Sequence, residues 1–179
     1  MARQKETAVN PVIQALNQAR AHELAAILQY MSQHYELADK DYGQIAAQLK
    51  LIAIDEMRHA EMLAERILLL NGAPTSKPDV ETRKGMAIGA IMEMNAGLEE
   101  GAIRDYNESL HVCQDHRDYV SAKIFELLIA EEQARLEYFQ DIGDHIKELG
   151  NAYLATQTGG AAEAGAPAKG FVASQGGAA

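Results

Sequence analysis

The sequence predicts an all-α protein, a four-helix bundle made of two helical hairpins, and three observations carry that expectation. Apolar residues recur at helical spacing along four long stretches separated by polar breaks. Glu23 lies 33 residues before Glu56 and Glu99 lies 33 before Glu132, with a single offset of 76 between the halves, so the chain reads as an internal duplication. Between the halves, Ala73 to about Lys84 is polar, carries Pro74 and Pro78 and has no period. It is too long for a tight turn and suits a crossover that makes the second and third helices parallel.

Each element has its own signals. Asn10 before Pro11 reads as an N-cap with proline at the first helical position, and Val12, Ile13, Leu16, Leu24, Ile27 and Met31 continue the period, giving a first helix over about 11–38. A second helix, about 43–70, carries Ile45, Leu49, Ile52, Ile54, Met57, Leu63 and Ile67, and Asn71-Gly72 closes it with Pro74 beyond. The third is expected over about 86–113 and the fourth over about 118–149, with Asp118 as N-cap and Gly150 as C-cap. From Thr158 the composition turns to Gly and Ala, so residues 1–157 are expected to form the folded unit and 158–179 a low-complexity tail whose one apolar anchor is Phe171-Val172.

Composition bounds function. A chain of 179 residues, 47% hydrophobic, buries one good core. Cys113 is the single cysteine, so no intrachain disulfide forms, and it reads as a small buried side chain. The first six residues precede no apolar segment, and no run of about 18 apolar residues occurs. A cytoplasmic protein with no membrane partner is expected. The net charge of −10 argues against a nucleic-acid partner, which calls for a basic face, and suits cation handling.

The repeated carboxylates carry the chemistry. The midpoints of the two pairs, 39.5 and 115.5, fall in the polar turns Asp39–Gly43 and Gln114–Asp118, so each pair sits at one level of its own hairpin. Packing the hairpins together brings four carboxylates into one bundle, and four buried like charges are tolerable only with cations to bridge them. Glu56 and His59, three apart, share a helix face, which adds an imidazole as a terminal metal ligand. Tyr30 follows Glu23 by seven and Tyr106 follows Glu99 by seven, placing both to hydrogen-bond ligand carboxylates. Asp55-Glu56 answers Glu131-Glu132 at the same offset. His22, His34, His111, His116 and His145 fall away from the ligand level and read as solvated or satisfied. Met57 points about 100° from Glu56 around the helix and by spacing alone is a core methionine.

Glu23 with Tyr30, the run Ile54-Asp55-Glu56-Met57-Arg58-His59-Ala60-Glu61, Glu65-Arg66-Ile67, Glu99 and Glu132 resemble the bacterioferritins, a likeness running from about residue 9 to 155. The resemblance implies a ferritin-like bundle with a long crossover, a short fifth helix over Asn151–Gln157, and a 24-mer shell built of two-fold dimers that stores ferric mineral. It implies Fe(II) oxidised by O₂ or peroxide at Glu23, Glu56, His59, Glu99 and Glu132, and haem iron held by Met57 from each of two subunits. An electron-donor protein for iron release follows as a partner, and the tail is expected to dock on the shell surface or a neighbouring subunit. The sequence departs from the pattern at Arg135, where both duplication and family call for the second histidine. A guanidinium stays protonated and cannot ligate iron. An impaired ferroxidase, a non-catalytic haem-bearing subunit working alone or beside an intact one, and a rubrerythrin-type oxidase or peroxidase are therefore the three readings; the last is disfavoured because Cys113 stands alone.

Overall fold

The computed structural model describes residues 10–160 and Gly170. Its helices are α1 (Pro11–Asp39), α2 (Gly43–Leu69), α3 (Ile88–Asp115), α4 (Tyr119–Leu149) and the short α5 (Asn151–Thr156). All four expected long helices are present, each bound lying within two residues of the sequence reading. Phe171-Val172 and the rest of the tail whose docking was expected lie outside the described residues.

The ends form as local chemistry requires. Asn10 Oδ1 accepts from the Val12 amide at 3.0 Å, satisfying one of the free N–H groups of the first turn of α1. Asp118 does the same for α4 through the Ser121 amide, also at 3.0 Å. At the end of α2 it is Asn71, not Gly72, that takes the left-handed conformation, φ 60°. The Gly72 amide then donates to Ile67 O at 2.9 Å. Gly72 is required for closeness instead, since a Cβ there would stand 2.9 Å from side-chain carbons of Ile13 and Ile67.

The duplication extends to the backbone. Helices α1 and α3 end 76 residues apart, α2 and α4 begin 76 apart, and the turns place Asp41 (φ 61°) and Arg117 (φ 56°) at equivalent positions. In both, an amide reaches back to close the helix: Tyr42 to Leu37 O and Asp118 to Cys113 O, each at 2.9 Å.

The crossover between α2 and α3 is strapped along α1. Asn17 pairs with Ala73 O and the Thr75 amide, Ala21 O accepts from Asp79, and the Gln29 amide exchanges two hydrogen bonds with the Arg83 backbone at 2.9 and 2.8 Å. Further along, Glu36 accepts from Gly85. The strap climbs α1 from residue 17 to 36, so α3 starts beside the end of α1 and runs parallel to α2. Among the described residues there is no strand, and no helix is long and apolar enough to cross a membrane.

The core is split in two. One cluster holds Tyr30, Leu37, Ile45, Leu49, Ile52, Ile91, Met92 and Phe139; the other holds Leu16, Leu63, Ile67, Tyr106, Cys113, Phe125 and Leu128. Between them lies a buried polar layer.

Candidate metal centre

That layer collects the residues with which the sequence argument began. Glu23 comes from α1, Glu56 and His59 from α2, Glu99 from α3, and Glu132 with Arg135 from α4, and none is more than 2% exposed. Single ligand atoms of Glu23, Glu56, His59 and Glu132 lie within 4.8 Å of one another. Glu99 stands outside that compact set.

The two tyrosines serve the opposite half from the one that carries them. Tyr106 on α3 donates to Glu23 Oε1 at 2.6 Å, and Tyr30 on α1 donates to Glu99 Oε1. Burial, then the adjacent carboxylates, hold both phenols well above their ordinary pKa, so each keeps the proton it donates. The Tyr30 ring stacks on Phe139 and the Tyr106 ring packs tilted against Phe125, one in each core cluster, which fixes the hydroxyls in place.

His59 turns Nδ1 inward, 3.0 Å from Glu56 Oε2, 3.5 Å from Glu23 Oε1 and 3.4 Å from Glu132 Oε1. Its Nε2 faces out and meets Glu131 Oε2 at 2.7 Å. The sequence reading did not assign Glu131 a part, although the offset of 76 already paired it with Asp55.

Arg135 points into the site with no exposed surface. Its Nη2 lies 2.5 Å from Glu132 Oε2 and 3.2 Å from Glu56 Oε2, and its Nε lies 3.9 Å from Glu99 Oε2. Glu132 is thus its nearest partner, Glu56 the second, and Glu99 is reached only loosely. Within this layer Arg135 Nη1, Glu56 Oε2 and Glu132 Oε1 are buried with no hydrogen bond, ion-pair proximity aside. Two of them are carboxylate oxygens of the compact set, the acceptors a cation requires, so the donor set fits a metal ion.

Four of the remaining histidines have partners away from the cluster. His34 is buried with Nδ1 2.8 Å from Ala46 O, His22 faces Asp79 at 3.5 Å, His116 sits on Val112 O, and His145 stacks on Tyr153. Cys113 is buried, its thiol pushed up to about 11 by burial.

Burial and mutual repulsion set the protonation of the clustered groups. Burial, with the neighbouring Glu132 charge, raises Glu56 and Glu99 well above the usual carboxylate range against the opposing charge of Arg135. For His59, burial favours the neutral ring, but the Glu23 charge and bonds from Glu131, Glu132 and Glu23 outweigh it and raise its pKa. Glu132 goes the other way: burial would raise it, and the Arg135 charge and its His59 and Glu99 contacts hold it well below. Groups raised on folding hold more protons in the native state, so their stabilisation falls as pH climbs above the unfolded carboxylate value of about 4.5. The Glu132 contribution is lost only on the acid side. Metal-free protein is therefore expected to unfold at lower urea concentration at about pH 8 than at about pH 5.5, with saturating divalent cation reducing or reversing the difference. Greater stability of the metal-free form at the higher pH would contradict this charge distribution.

Two antiparallel hairpins joined by a long crossover, with carboxylates from all four helices meeting in a buried layer, define a ferritin-like carboxylate protein. The ferritin-like domain family matches residues 13–149. Bacterioferritin from Desulfovibrio desulfuricans is 50% identical over 172 residues, covering 96% of each chain, and bacterioferritin from Streptomyces coelicolor is 35% identical over 147 residues, 81% of this chain and 87% of that one. The X-ray structure of the Desulfovibrio desulfuricans protein, which treats its diiron site in different catalytic states, matches with a TM-score of 0.86 at 52% identity over 90% of this chain and 94% of that one. The chain belongs to the bacterioferritins.

Proposed function

We propose that this chain is an iron-storage subunit that takes up Fe(II) at the interhelical carboxylate cluster and passes it on for deposition as ferric mineral inside a 24-mer shell. The observation that carries the reading is the convergence of Glu23, Glu56, His59 and Glu132 within 4.8 Å, with Glu99 beside them. Fe(II) is the substrate. Carboxylates and one imidazole suit it and leave positions open for an oxidant.

Arg135 sets the capacity of the site. Four carboxylates carry about −4 and match two Fe(II); a guanidinium among them leaves about −3 and occupies oxygens a second cation needs. One well-held metal, on the Glu23, Glu56 and His59 side, is the expected stoichiometry, with slow ferroxidase turnover. Electron count gives the reason. Reducing O₂ to peroxide, or peroxide to water, takes two electrons, and one Fe(II) supplies one. The same observation supports a second reading, in which the chain is a haem-bearing storage subunit that co-assembles with an intact ferroxidase subunit. The rubrerythrin-type reading recedes, because the similarity to bacterioferritin covers 96% of the chain.

Haem is the second group the family implies, and the exposed apolar side chains of the α1–α2 hairpin suit it. Met57 is 45% exposed and Leu28 52% exposed, with Leu24, Ile27, Met31 and Ile54 half-buried on the same flank. A flexible methionine exposed among apolar side chains leaves a thioether free to act as a ligand from an apolar wall. Met57 would hold the iron through its thioether, one copy from each subunit of a two-fold pair. The bound group would supply one-electron transfer for releasing stored iron, thioether ligation favouring the reduced state.

Light scattering on purified protein, before and after aerobic Fe(II) addition, tests the storage reading. A particle of about 24 subunits that gains iron without growing is expected. Nothing larger than a dimer at storage-protein concentrations removes the shell.

A further inference from the structure

The contact between His59 Nε2 and Glu131 Oε2, at 2.7 Å, joins a ring on α2 to a carboxylate on α4 that is 22% exposed. We propose that Glu131 is the positioning residue of the metal histidine. It holds the ring so that Nε2 keeps its hydrogen and points out of the cluster while Nδ1 is presented to the cation. This inference rests on the metal reading above.

The geometry supports it from both sides of the ring. Nδ1 lies within 3.0 to 3.5 Å of one oxygen from each of Glu56, Glu23 and Glu132, so a cation held by those oxygens meets a nitrogen lone pair. Turning the ring over would put a carbon where Nδ1 stands. On the Nε2 side Glu131 is the one partner among the described residues, so it anchors the ring from outside the cluster and favours the tautomer with hydrogen on Nε2, while Nδ1 faces the carboxylates and, at 3.5 Å, Arg135 Nη2.

The duplication gives an independent reason. The offset of 76 that relates Glu56 to Glu132 relates Asp55 to Glu131 and His59 to position 135. Asp55 and Glu131 are thus equivalent positions in the two halves, and of these two Glu131 is the one with a histidine contact among the described residues. Position 135 is arginine, and Asp55 accepts from Arg58 Nη1 at 3.0 Å. Glu131 is supplied by the half of the chain that does not carry the ring it supports.

Titration of metal-free full-length protein with Co(II), read by its visible d–d bands, tests this. Glu131→Ala is expected to weaken the first Co(II) by about 10–100-fold and to alter the bands, the usual cost of removing the partner of a metal-bound histidine. Glu131→Gln, whose amide oxygen still accepts from Nε2–H, should stay within about threefold of the unmodified protein. Thermal unfolding of the metal-free variants checks that both still fold, a single cooperative transition being expected for each. An Ala variant with unchanged affinity and bands overturns the proposal, and so does equal loss in Ala and Gln, which would assign the effect to charge. Glu23→Ala distinguishes the two readings: if it abolishes Co(II) binding while Glu131→Ala does nothing, the metal site stands and the positioning role falls. No Co(II) uptake by the unmodified protein overturns both.

Discussion

Arg135→His is expected to raise the strongly bound metal from about one to about two per subunit and to speed Fe(II) oxidation on the order of 100-fold or more. The guanidinium lies 2.5 Å from Glu132 and 3.2 Å from Glu56, within the oxygens a second cation would use. At roughly 4 Å and an effective dielectric near 20, one unit charge repels another by about 4 kcal/mol. That is about three powers of ten in affinity for a monovalent competitor, and more for Fe(II). Histidine removes the charge and supplies a nitrogen in the same move. The rate gain follows because two adjacent Fe(II) deliver together the two electrons the oxidant accepts. Anomalous scattering at the iron edge on Fe(II)-soaked crystals counts the metals, and stopped-flow absorbance follows the oxidation. Two fully occupied irons in the unmodified protein, with Arg135 turned to solvent, would sink the blocked-site reading.

Met57→Leu is expected to eliminate haem altogether while leaving the assembly and the carboxylate cluster intact. Leucine nearly matches methionine in volume and apolarity, so the flank carrying Leu28 and Ile54 keeps its packing. It has no lone pair for iron. Because one sulfur would come from each subunit, the substitution removes both thioethers at once, and a porphyrin held by apolar contact alone would be lost on purification. Optical spectra of the purified unmodified and variant proteins decide it. A variant with full haem content and an unchanged spectrum shows that the ligand is elsewhere.

Much of the molecule was legible because the signals were local or repeated. Helix bounds follow from Asn10, Asp118, Asn71 and Gly150, residues whose backbone or side chain ends a hydrogen-bond ladder within one turn. The ligands were legible for a different reason. One surface glutamate says nothing, but Glu23, Glu56, Glu99 and Glu132 at one interval and one offset report two hairpins of equal length, and equal length sets equal level. The fifth helix, six residues from Asn151 to Thr156 with no buried side chain, has too little periodicity to announce itself and was available only through family likeness.

The sequence by itself determined which residues reach the level of the site, because rise per residue and the repeated turn are properties of a single hairpin. Tertiary structure alone decided what they meet there. Tyr30 was expected to support a carboxylate, but that it serves Glu99 while Tyr106 serves Glu23 depends on α1 and α3 facing each other across the bundle. Whether Arg135 turned outward or inward could not be read from α4, since both directions are open to a long flexible side chain. The inward course wins because Glu132, Glu56 and Glu99 offer a buried negative site that no single helix contains. Glu131 remained unassigned for the same reason. Its partner lies 72 residues away, and helical period reports only the face a residue takes on its own helix, never the side chain that another helix brings to it.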